Sequence, residues 1–199
     1  MIFPSSLKFD TIAFLAHWQQ FYLKVYGFNL NGGGIALPPI DQALGSGVVM
    51  DRSITIEQDL AEIKKWTKKN LLYRYTNDSI DNLIQKDKEA PRPAGPYAIW
   101  AAPAVEAIQQ APHLMKKSYD DIQESIMNFG EYTRFFLWHL WATNEPLDRQ
   151  SWTLSGSFDA DGSVLDGSWV DDRFHVCWYN RDHSHDYVRA RQIVLPPLA

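Results

Sequence analysis

Between Asp10 and Gly27 the apolar residues Ile12, Phe14, Leu15, Trp18, Phe21, Tyr22 and Val25 recur at the spacing of one helix face. Asp10 is a capping residue type and Gly27 a terminator, so the pattern predicts a helix between them. A second stripe, Ile56, Leu60, Ile63 and Trp66, runs through TIEQDLAEIKKWTKK and predicts an amphipathic helix. A third helix is expected over SYDDIQESIMNFGEYTRFFLWHLW, residues 118–141, with a break or kink at Gly130. Asp120, Asp121 and Glu124 would form its solvated start, where acids complement the helix dipole. GSGVVM, LLYRY and YAIWAA read as strands, and NLNGGGIALPPID and KDKEAPRPAGP as loops.

From Ser151 onward the period shortens. In RFHVCWYNRDHSHDYVRARQ, residues 173–192, Phe174, Val176 and Trp178 alternate with His175, Cys177 and Tyr179. Successive side chains of a strand point to opposite faces, so the first set anchors the strand and the second faces outward. His183, His185 and Tyr187 repeat the spacing beyond it. The tail is rich in Gly, Ser, Asp, Trp and Tyr, and holds no Lys, Glu or Met. It reads as short strands joined by tight turns, DADG at 159–162 among them. Mixed helices and strands followed by a compact β end predict an α+β fold.

A length of 199 residues suits one domain with a real core. The net charge of −5 argues against a general nucleic-acid binder. Cys177 is the one cysteine, so no internal disulfide can form. The first residues lack the basic start and apolar core of a signal peptide, and no apolar run approaches a spanning length. A cytoplasmic or virion-associated protein is expected.

Three chemistries compete for the tail. His175, Cys177, His183 and His185 offer the N and S donors of a zinc site, but HxC…HxH matches no recurrent zinc spacing. The alternative to zinc is a thiol enzyme built on Cys177 and a neighbouring His, for which no third, orienting group is evident. DADG with Asp171 and Asp172 lacks the terminal Glu of a calcium loop. The remaining reading is a binding surface, since Tyr and His join large contact area to hydrogen bonding at low entropic cost.

DGSVLDGSWVDDRFHVCWYNRDHSHDYVRARQIV resembles the variable region of target proteins of diversity-generating retroelements. In that family a reverse transcriptase miscopies template adenines, so that Asn codons come to encode other residues. The resemblance places varied positions at Ser163, Asp166, Ser168, Val170, His175, Cys177, Tyr179, Asn180, His183, His185 and Tyr187. Each of these residues can be encoded by a codon ending in C or T, as such miscopying requires. Trp169, Trp178, Asp182, Asp186, Arg189 and Arg191 fall on scaffold positions, the two Arg being expected to pair with Asp182 or Asp186. Leu165, Arg181 and Val188 depart from the family pattern, and the spacing near residues 170–173 is slightly off. Upstream, FLAHWQQFYLKVYGFNL, YAIW and WTLSGS are similar to the same group.

The resemblance implies a C-type lectin-like fold over residues 1–199. Residues 1–95 would form a supporting part, and 96–199 the lectin-like core with its variable region at about 162–192. It implies a display protein without catalytic residues or cofactor, which recognises a protein or cell-surface ligand.

Overall fold

Helix α1 (Thr11–Tyr26) starts where the Asp10 carboxylate accepts the Ile12 and Ala13 amides at 3.0 and 3.1 Å, and ends at Gly27 with φ 78°. The computed structural model describes residues 10–30, 34–40, 45–67, 72–102, 104–107, 117–122 and 125–198. Phe14, Trp18, Phe21 and Tyr22 are buried along one face of α1. Ile12, expected in that stripe, is 82% exposed. It lies two residues before Phe14, hence about 200° round the helix axis.

Strand β1 (Ser46–Met50) leads to helix α2 (Ile56–Trp66), which opens on a Thr55–Gln58 capping box. Leu60 and Ile63 are buried on α2, and so is Asp59. Strand β2 (Leu72–Arg74), the single-turn helix α3 (Ile80–Leu83) and strand β3 (Tyr97–Ala101) follow. Helix α4 spans Phe129–Thr143 and is capped by a reciprocal Asn128–Glu131 box.

The long helix expected over 118–141 is therefore shorter. Ser118 and Asp121 close a 3-10 turn over Tyr119–Asp121, and Ile126 bridges Gln192 in an extended segment. The bridge to Gln192 holds Ile126 out of a helix, and α4 starts only after Asn128. Gly130 lies in the first turn of α4 and breaks nothing. Asp120 pairs with Arg181 rather than marking a helix start, and Glu124 lies outside the described residues.

The C-terminal strands are β4 (Trp152–Phe158), β5 (Val164–Val170), β6 (Arg173–Tyr179), β7 (Val188–Ala190) and β8 (Ile193–Val194). Among the described residues the fold is α+β, with four α-helices and two sheets. One sheet is antiparallel, in the order β1-β3-β8. The other is mixed, in the order β2-β6-β5-β4-β7, with its two edge strands parallel to their neighbours. Asp171 and Asp172, with φ 50° and 60°, form the two-residue turn between β5 and β6. Two left-handed residues match the twist of a tight hairpin, and they fix the register Val170–Arg173.

Helix α4 packs on α2, β1, β4 and β5. One hydrophobic cluster runs from Phe14 on α1 through α2 and α4 to Phe174 and Val176 on β6. A buried polar knot ties its helices: Arg134 donates to Asp59 at 2.8 Å, Thr133 to Asp59 at 3.1 Å, and Tyr22 to the Val49 carbonyl at 2.8 Å. Among the described residues no helix is long and apolar enough to cross a membrane.

Candidate ligand-binding face

The strand registers sort the five-stranded sheet into two faces. Leu165, Gly167, Trp169, Phe174, Val176 and Trp178 point inward, toward α4. Phe174 meets Phe136 and Tyr132 at ring-centroid distances of 4.5 and 6.1 Å, and Trp169 stacks on Phe136 at 6.1 Å. Trp178 packs against the same cluster. Gly167 is required here: a Cβ would stand 2.4 Å from the Tyr132 ring.

The outward face carries Val164, Asp166, Ser168 and Val170 on β5, opposite Tyr179, Cys177, His175 and Arg173 on β6. Tyr73 on β2 pairs with His175, and Leu154 on β4 with Asp166. The alternation expected for β6 is thus present: Phe174 and Val176 are buried, while His175, Cys177 and Tyr179 are half-exposed. Toward β7 this face is covered by Tyr119, Ile122 and Ile126. Toward β6 it is open.

Residues 180–187 follow β6 as an uninterrupted exposed run. It contains Asn180, Asp182, His183, His185, Asp186 and Tyr187. Its rings gather at the edge of the face: His185 lies 3.8 Å from Tyr187, His183 6.4 Å from Tyr179, and Tyr187 6.3 Å from Trp152. Trp152 also reaches His175 at 6.4 Å, and Tyr73 lies 4.8 Å from His175. Trp152 and Tyr73 were not singled out from the sequence. The alternation within LLYRY and WTLSGS could have placed them, had the strand order been known.

Two of the positions expected to vary do not meet the solvent. Asp166 is 1% exposed and Ser168 is fully buried. Both sit on the central strand, flanked on β4 and β6 by larger side chains that close over them. The Trp152–His175 contact spans Ser168, which stands between those residues in the register. Ser163 and Val170, at the two ends of β5, are half-buried.

Neither Asp166 oxygen, nor Ser168 Oγ, nor His175 Nε2 has a hydrogen-bond partner among the described residues. Burial pushes the Asp166 carboxyl up to about 7. Burial, reinforced by Asp166, drives the Cys177 thiol up to about 11. That is the opposite of what a thiolate nucleophile needs. Burial and then Arg173 lower His175. Among the described residues no three His, Cys, Asp or Glu side chains come together as an ion-holding group.

Of the two scaffold arginines, Arg189 meets Asp186, through its carbonyl and its charge, while Arg191 finds a partner other than expected. Arg191 pairs with Asp148 at 2.7 Å and donates to the Ala104 and Val105 carbonyls, both at 2.9 Å. Asp148 in turn accepts from Thr153 Oγ1 at 2.6 Å and from the Ala107 amide at 2.9 Å. Arg189 donates to the His185 carbonyl at 2.9 Å and to that of Asp186, bracing the exposed run from beneath. Both guanidiniums are buried on the inward side, whereas the Asp182 carboxylate is exposed beside His183. Comparison with family models, curated proteins and solved structures finds no match for this chain.

Proposed function

We propose that this chain is a ligand-binding display protein of the retroelement-diversified kind, with a C-type lectin-like fold and no catalytic role. Its binding surface is the open part of the outward face together with residues 180–187, and the ligand is a protein or cell-surface molecule. The carrying observation is the division of β6, with Phe174, Val176 and Trp178 against the core and His175, Cys177 and Tyr179 turned away from it. A framework held from one side tolerates replacement on the other. The antiparallel β4–β5–β6 meander backed by α4 supports the lectin-like reading. The tyrosines supply contact area, and the histidines and Asn180 supply discrimination.

The test is genomic. The reading expects a reverse-transcriptase gene near the coding sequence, with an adenine-rich near-copy of the segment encoding residues 162–192. Sibling copies should differ at the outward positions and agree at Phe174, Val176 and Trp178. A neighbourhood lacking both features overturns the reading. Metal analysis of the purified protein addresses the competing zinc assignment, and one zinc per chain would favour it.

A further inference from the structure

We propose that the centre of the outward face is a socket for an ammonium or guanidinium group of the ligand, with the Asp166 carboxylate as counter-ion and Ser168 Oγ as second acceptor. This names the ligand chemistry of the display surface and rests on that reading for the identity of the molecule bearing the cation.

Two carboxylate oxygens and a hydroxyl, all buried and all unpartnered, share one face of neighbouring positions on β5. Buried polar groups in folded proteins are almost always hydrogen-bonded, so a group of exceptions on one open face calls for a partner from outside. Among the described residues the chain does not supply one: burial is what perturbs Asp166, and no described cation offsets it. Arg181 is engaged by Asp120, and Arg189 by carbonyls of the exposed run. Arg173, on the same face, stands at the far end of the hairpin, opposite Val170.

The surroundings fit a cation. Small side chains, Asp166, Ser168 and Cys177, occupy the middle of the face, and rings stand around them. Trp152 and Tyr179 lie diagonally across from Asp166 in the register, on β4 and β6. Aromatic faces attract cations, most strongly where water is excluded. Tyr187, beside Trp152, is 45% exposed and adds a further ring at the edge of this face. The titratable groups facing Asp166 are His175, Cys177 and Tyr179 from β6 and Tyr187 from the exposed run; β4 contributes only Trp152 and Leu154. None of these is a cation at pH 8.

The experiment is an amide chemical-shift titration of the full-length protein at pH 8. The probes are n-butylammonium and n-butylguanidinium, with butanol and butyrate as neutral and anionic controls. The two cations distinguish a lysine-like from an arginine-like ligand group. Saturable shifts are expected at residues 165–168 and 176–179 with at least one cation and with neither control. Asp166→Asn should weaken that binding about tenfold or more, the scale of a lost charged hydrogen bond. In the wild type, affinity should fall as pH drops from 8 to 5 and the carboxylate takes up its proton, a readout independent of how well the variant folds. Cations that shift no more than butanol, or bind Asp166→Asn equally well, or bind without pH dependence, overturn the proposal. A flat titration beside an intact retroelement removes the socket and leaves the display reading. A cation-specific titration without a retroelement does the reverse.

Discussion

The two faces of the five-stranded sheet share the same strands and differ in nearly every physical respect. On the inward face, aromatic rings pack against α4, a glycine admits the Tyr132 ring, and Arg191 finds a buried carboxylate in Asp148. On the outward face, polar atoms lack partners and rings lie half in solvent. The difference teaches where stability resides. The inward side chains hold the backbone, and the outward ones are held by it. Asp166 and Ser168 mark the limit of that freedom: they are outward residues buried by their neighbours, with polar atoms left unpartnered at a cost in stability, greatest for the carboxylate.

Five variants sharpen the contrast, from the largest effect to the smallest. Phe174→Ala empties a site between Phe136 and Tyr132, and chemical denaturation should show a loss of about 3–5 kcal/mol. Asp166→Asn should act the other way, with a pH signature. Below about pH 4 the carboxyl is protonated in both the folded and unfolded chain. As pH rises toward 7 the unfolded chain ionises freely while the folded one keeps its proton, so wild-type stability declines; above about 7 the loss is complete. Urea midpoints across that range should show Asp166→Asn escaping this decline, by up to about 4 kcal/mol at pH 8. Burial also lowers His139, to about 4, and so adds stability as pH rises over the same range. The test is therefore the difference between wild type and Asp166→Asn: a difference flat between pH 4 and 7 would contradict the burial argument.

Gly167→Ala pushes a methyl group into the Tyr132 ring and should cost about 1–3 kcal/mol, visible as a lowered denaturation midpoint. His183→Ala and His185→Ala, in the exposed run, should each change stability by less than about 0.5 kcal/mol in the same assay. A large loss in either would mean that the run supports the fold instead of riding on it.

Local signals in the sequence were reliable where local physics decides. Asp10 and Gly27 bound α1, Leu60 and Ile63 of the predicted stripe are buried on α2, and the alternation appears as burial on β6 at Phe174 and Val176, Trp178 being half-buried. What was not legible depended on partners distant in the chain. Nothing within residues 118–128 reveals that Ile126 will bridge Gln192 and delay α4. The resemblance counted Asp166 and Ser168 among the varied positions, and both lie on the outward face; whether outward means solvent depends on the β4 and β6 side chains beside them. The partner of Arg191 was sought among nearby aspartates, whereas Asp148 reaches it from the loop before β4.

The most direct test of this division is thermal unfolding of two multiple variants. One changes the outward set together, His175→Asn, Cys177→Ser, Tyr179→His and Tyr187→Asn. The other changes Phe174→Asn and Val176→Asn. The account predicts that the first unfolds cooperatively within about 10 °C of the wild type, while the second shows no cooperative transition. An outward variant that fails to fold, or an inward one that melts like the wild type, would contradict it.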